Sequence, residues 1–348
     1  MLPYEKYRRQ MIDTVLALLP LLAMACYYYG PRVLIMAAIS VGSAAAADYF
    51  CLLLQGERWW RKYDFSAGIA GLTYVLMLPA SAPYWLVIFG AVFAILVVRH
   101  PFGGHYHTLF NPALTAFAFV VLCWNDLVTQ YPASMTQLPL TASLDVPLYS
   151  SPARQLMLGG SNNIDWLDAL LGNFYGPMGT TCIAVLLCCG VYLIYRRTII
   201  WQIPVASLAV VAAAAWFFPR INGSRTVSVL MELTSGVLLF SVLFVAAMDN
   251  GEIQSRLGKW TYGALLGGLM VLFRHLSRIE LVAPFVVIIM NAVDHRCDAY
   301  AAHLCSGVKL ILRLTWKGIR KTGQAGAGAF NKVTGRLSRW AGGEEGKR

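Results

Sequence analysis

Apolar runs recur at 12–29, 33–54, 66–80, 83–98, 109–125, 178–195, 199–218, 230–248, 260–273 and 280–293. That recurrence limits the fold more than any other feature. A run near twenty residues crosses the hydrocarbon layer as a helix. Several of these are shorter, and the pair around 66–98 is interrupted by Pro79 and Pro83. A broken or tilted helix is expected there, with its freed backbone groups satisfied by protein or a cavity. Charged residues are 13% of the 348 and hydrophobic ones 58%, whereas a soluble domain carries about a quarter charged. The chain therefore reads as an all-α polytopic membrane protein of about ten transmembrane helices. The first run has no short leader with a cleavage site before it and reads as a retained helix.

Basic residues choose the orientation. Lys6, Arg8 and Arg9 flank the start, Arg58, Arg61 and Lys62 follow the second run, and Arg99 follows the fourth. Arg196 and Arg197 follow the sixth, Arg256 and Lys259 the eighth, and the tail from Lys309 holds ten Lys or Arg against two Glu. In a ten-span chain all of these share one side, so both termini are expected in the cytoplasm. The net charge of +11 is thereby a topology signal and not a nucleic-acid footprint. Arg220, Arg225, Arg274 and Arg278 dissent from the pattern.

This divides the chain into a first membrane half (1–125), an extracytoplasmic connection (126–177), a second membrane half (178–305) and a basic cytoplasmic tail (306–348), whose stretch KLILRLTWKGIR is amphipathic. FGAVFAILVVRH at 89–100 is echoed by YGALLGGLMVLFRH at 262–275, and SAGIAGL at 66–72 by TSGVLLF at 234–240. With five spans per half, the second copy enters from the opposite side, so two inverted five-helix repeats are expected. The eight cysteines form no CxxC pair and read as small hydrophobes; no metal site is expected.

Small polar clusters interrupt the apolar pattern. GPMGTTCIA at 176–184 places Thr180 and Thr181 after a glycine turn, at the mouth of a span. Such hydroxyls ordinarily satisfy open amides at a helix start, and an exposed threonine is also a potential phosphodiester acceptor. FGGHYHTLFNPALTAF at 102–117 puts Pro112 at a first helical turn with Asn111 as its cap. His105 and His107 lack further ligands nearby. Asp48, late in the second run, is the best interior candidate for an ion or proton path, ahead of Asp249 and Asn291. Asp64, Glu232 and Asp294, close to span ends, are expected at the interface.

In order and spacing these stretches resemble the RnfD/NqrB family, the length and layout being nearer RnfD; the likeness runs from about residue 10 to 305. In that family a segment of the form G-x-x-G-E-T-S carries FMN esterified through its phosphate to the threonine. It falls on GPMGTTC, which makes Thr181 the implied acceptor, with Gly176 and Gly179 retained, Thr180 replacing the glutamate and Cys182 the serine. G-G-L-G-x-N-x-F-N-P-A falls on GGHYHTLFNPA, which keeps Asn111 and Pro112; a pattern close to G-A-F-F-I-A-T-D-P falls on FSVLFVAAMDN, which keeps Asp249; and IIMN at 288–291 matches the late L-L-M-N segment.

The resemblance implies a membrane subunit of an Rnf-like complex. Such a subunit passes electrons through covalent FMN and helps couple ferredoxin/NAD chemistry to Na⁺ or H⁺ movement. It is a component of a translocating oxidoreductase, not an enzyme alone, and resides in the bacterial inner membrane. Implied partners are the other subunits, among them a periplasmic-facing flavin carrier, and a flavin transferase; riboflavin near the cytoplasmic side is a second implied cofactor. Alternatives of the same architecture are a transporter or channel without flavin and a structural subunit of a divergent redox complex.

Overall fold

The computed structural model describes residues 4–56, 65–102, 110–140, 146–157, 166–220, 224–248, 253, 255–277 and 279–293. Helix dominates, and each expected run holds one. The long helices are α1 (Tyr4–Tyr29), α2 (Arg32–Leu54), α3 (Ser66–Met77), α4 (Tyr84–Arg99), α5 (Pro112–Cys123), α6 (Ile183–Tyr195) and α7 (Gln202–Phe217). They continue with α8 (Arg225–Thr234), α9 (Leu238–Ala246), α10 (Arg256–Leu276) and α11 (Ala283–Asn291). Local chemistry sets several boundaries. The Asn111 Oδ1 accepts the Leu114 N–H at 3.2 Å with Pro112 at the first helical position, as the sequence predicts. Ser255 caps α10 by accepting the Gly258 N–H at 2.8 Å.

Leu16, Leu34, Phe50, Trp85, Leu122, Val191 and Leu272 are exposed on these helices. So much large apolar surface outside a packed core suits a lipid solvent. Two helices, Tyr7–Tyr29 and Arg32–Leu54, are long and apolar enough to cross a membrane singly, and α8 with α9 pass the same test as a bent pair. The expected break between the third and fourth runs lies at 78–83, where α3 has ended and α4 has not begun.

Between helices in lipid, close packing and hydrogen bonds replace the hydrophobic effect as the source of cohesion. A Cβ on Gly71 of α3 would lie 2.8 Å from the Ser40 carbonyl oxygen of α2, and the Ser40 hydroxyl donates to the Gly71 carbonyl at 2.7 Å. The α7–α10 crossing is equally tight, with a Cβ on Gly267 only 2.6 Å from the Ser207 carbonyl. The buried Arg32 clamps the 78–83 break, donating to the carbonyls of Ala80 at 3.1 Å and Ala82 at 3.2 Å, with its guanidinium 4.6 Å from the Tyr84 ring centroid.

The connection carries short helical turns and one antiparallel pair, β1 (Gln130–Pro132) with β2 (Leu148–Ser150), in register Tyr131 to Tyr149. Arg32 also donates to the Pro139 carbonyl at 3.1 Å, and Ser81 to that of Gln130 at 2.7 Å. These bonds seat the connection on one end of the bundle, where α1, α3 and α5 finish and α2, α4 and α6 begin.

Candidate functional site

The helical turn Trp166–Leu171 stops at Gly172, whose φ of +86° turns the chain back on itself. A Cβ there would lie 2.7 Å from the Thr181 carbonyl. Tyr28 of α1 donates its hydroxyl to the Leu171 carbonyl. Beyond Gly176 the segment pairs with the end of α3, the Met178 N–H donating to Leu78 at 3.0 Å and the Gly179 N–H to Leu76 at 2.7 Å. Gly176, Gly179, Thr180, Thr181 and Cys182 thus form one folded-back strap at the mouth of α6.

The threonines do not cap α6. Thr180 donates to the Pro177 carbonyl at 3.2 Å and Thr181 to the Met178 carbonyl at 3.4 Å, while Cys182 holds the N-cap position without a side-chain bond. The strap turns both hydroxyls back toward carbonyls behind them, away from the open amides of the α6 start. Thr181 is 1% exposed. The glycines serve the strap's own packing: a Cβ on Gly179 would lie 2.7 Å from the Leu76 Cβ, and one on Gly176 would meet Phe174 at 3.3 Å and the Thr181 Cγ2 at 3.6 Å. As closed, the strap holds the hydroxyl a phosphodiester needs almost wholly out of solvent.

The remaining sequence-predicted residues lie elsewhere. Asn111 and Pro112 start α5, about 18 Å of helix from the end that carries the connection. Asp48, fully buried near the end of α2, accepts from or pairs with His100 Nε2 at 2.8 Å and lies 3.6 Å from Arg99 Nη1; its Oδ2 has no hydrogen-bond partner among the described residues. Asn291 is the half-buried last residue of α11. Asp249, Asp64, Asp294, the two histidines of the 102–117 cluster and the amphipathic tail lie outside the described residues.

A second polar cluster was not legible in the sequence as a site. Glu232 is 5% exposed on α8, three residues before the bend at Ser235–Val237. Its carboxylate accepts from Arg220 Nε and from Arg274 Nη1, each at 2.5 Å. Two of the dissenting arginines are thereby explained, as counter-charges to a buried carboxylate and not as orientation signals. A third, Arg225, stacks 5.9 Å from the Trp216 ring. Across a small pocket from them, Glu280 accepts a hydrogen bond from the Ser151 hydroxyl. Burial pushes the Glu280 carboxyl up to about 7, against the Ser151 hydrogen bond and the Arg154 charge. The cluster's only sequence signal was the misplaced arginines.

The model of the NQR2, RnfD, RnfE family matches residues 3–305, most of the chain. The chain belongs to that family. The match takes in both polar clusters and every apolar run, and ends just before the basic tail. Family relatives include the D subunit of an ion-translocating oxidoreductase complex from Stutzerimonas stutzeri, 29% identical over 310 residues that cover 82% of this chain and 88% of that protein. The protein of the same description from Haemophilus influenzae (strain PittEE) is 27% identical, covering 86% of this chain and 93% of its own length. The D subunit of the Na(+)-translocating ferredoxin:NAD(+) oxidoreductase complex of Acetobacterium woodii is 28% identical, over 86% of this chain and 91% of that protein.

Proposed function

We propose that this chain is the RnfD-type membrane subunit of an ion-translocating ferredoxin:NAD⁺ oxidoreductase complex, and that it carries FMN on Thr181. What carries the subunit assignment is the family match over residues 3–305, together with relatives of that description aligned over most of both chains. Bound flavin would supply one- and two-electron transfer. The chain's own part is to hold Thr181 at the mouth of α6 and to fix the strap between α1 and α3. Because the hydroxyl is enclosed, loading requires the strap 172–182 to open.

The reading includes ten spans in two inverted halves, both termini in the cytoplasm and residence in the bacterial inner membrane. Two observations support it. The basic residues follow alternate runs. The echoed RH dipeptides also behave alike: Arg99 faces buried Asp48 and Arg274 faces buried Glu232, at opposite ends of the bundle. Partners in this reading are the other members of the complex, one carrying flavin toward the periplasm, and a flavin transferase. Asp48, Asp249 and Asn291 belong to the proposed ion path.

The enclosure of Thr181 favours one rival, a structural subunit of the same complex that carries no flavin. Co-expression with a competent flavin transferase, then denaturation and mass measurement, separates them. The expected result is an addition of one FMN with in-gel fluorescence, abolished by Thr181→Val and kept by Thr180→Val. An unmodified chain would leave the structural reading.

A further inference from the structure

At the end that carries the connection, a polar pocket lies where α8 and α9 meet at 55°. Gly236, with φ +68°, makes the bend. Ala153, Arg220, Ser235, Arg274, Ile279 and Glu280 line it. Glu232 is already committed: both its oxygens are taken by the arginines, and Arg274 Nη2 also donates to the Ser235 carbonyl at 3.2 Å. Two guanidinium groups against that carboxylate leave the triad one positive charge in excess.

Glu280 is the remaining acid of the pocket. Among the described residues its hydrogen bond comes from Ser151, which precedes the helical turn Pro152–Met157. The groups facing it are Ser151 and Arg154 from that turn, Tyr131 from β1, and Arg220 and Arg274 across the pocket with Glu232 behind them. Tyr131 is a phenol held neutral by burial, its ionisation pushed well above the usual range. Burial favours the neutral acid at Glu280, while the Ser151 hydrogen bond and the Arg154 charge favour the carboxylate. A metal cation is a poor occupant, because hard cations need several converging oxygens and the walls present guanidinium groups. A proton needs no ligand shell.

We propose that Glu280 is a proton-binding site of this protein, loading and releasing a proton at the mouth of the broken helix. One carboxylate oxygen keeps the Ser151 bond; the other takes a proton from solvent hydronium, leaving water, and gives it back to water as hydronium, the site changing between neutral acid and anion. The balance of opposing effects puts the midpoint near neutrality, at about 7. The site does not depend on flavin; only its use in coupled transport rests on the assignment to the complex.

Infrared titration of the purified full chain tests this. The expected result is a protonated-carboxyl C=O band that titrates near neutral pH and is missing from Glu280→Gln, whose amide still accepts from Ser151. Exchanging Na⁺ for a bulky organic cation leaves the midpoint in place. Ser151→Ala and Arg154→Gln each move it upward, because each group holds the carboxyl down. These two variants retain the native acid, so they decide the matter even where Glu280→Gln fails to fold. A band unchanged in a folded Glu280→Gln, a midpoint that Na⁺ shifts, or no upward shift in either supporting variant would overturn the proposal. A chain found without flavin leaves this titration intact, so the two failures are distinct.

Discussion

Arg274 Nη1 sits 2.5 Å from Glu232 Oε2, and Arg220 Nε the same distance from Glu232 Oε1. This buried triad joins α8 and α10 beside the 55° bend. Removing one partner from such a pair costs about 3–5 kcal/mol, since the other charge is left buried without compensation. Glu232→Gln is expected to lower the denaturation midpoint in detergent by a corresponding amount. Arg220→Gln should be milder, because Arg220 is 16% exposed against 9% for Arg274 and water can replace part of its role.

Stability should depend on pH through Glu280. Its carboxyl titrates near 4.5 in the ordinary case and about 7 here, because burial disfavours the charge. The folded chain therefore binds this proton more tightly than the unfolded one. Its contribution is fully favourable below the lower value, falls as pH rises between the two and is flat above. Melting temperature measured against pH should show that decline, and Glu280→Gln should flatten it.

The α7–α10 crossing should tolerate no side chain at Gly267. A Cβ there meets the Ser207 carbonyl at 2.6 Å, whereas Gly268 has open space. Gly267→Val is expected to cost about 1–3 kcal/mol or more through forced separation of the helices. Gly268→Ala should be neutral or slightly stabilising, since alanine is the better helix former. Comparing the two melts in the same detergent checks it.

Asp13, 1% exposed, accepts from Tyr192 at 3.3 Å, Arg196 at 3.0 Å and Thr198 at 3.1 Å. It ties α1 to the end of α6. Arg196 is 42% exposed, so its charge is screened and contributes little. The cost of Asp13→Leu lies in leaving the buried Thr198 hydroxyl unpaired, about 1–3 kcal/mol. Arg196→Gln should change the melt far less than Asp13→Leu.

The strap around Thr181 should open more readily once Gly172 is replaced. An alanine there is strained at φ +86° and meets the Thr181 carbonyl. In a chain carrying Thr181→Cys, thiol labelling should be slow, and adding Gly172→Ala should accelerate it several-fold. Equal rates would mean the strap is not what encloses this position.

Much of the fold was legible because helix formation in lipid is a local matter. Apolar runs marked the helices, Asn111 with Pro112 marked the start of α5, and Pro79 with Pro83 marked the break before α4. The site was less legible. In GPMGTTC a cap was the wrong reading of the threonines, because the strap's backbone bonds to Leu76 and Leu78 come from a helix about a hundred residues earlier. Asp48 stood out as a buried acid, yet nothing local told that Arg99 and His100 face it.

From residue order alone came the membrane class, the position of the helices and the orientation expected from their basic flanks, since each depends on near neighbours and on the solvent they prefer. Tertiary structure alone decided which buried charges meet, where the second half bends and that Thr181 is enclosed. Those depend on contacts such as Glu232 with Arg274, 42 residues apart, and Ser151 with Glu280, 129 apart. A buried charge must find its partner wherever packing brings one within reach.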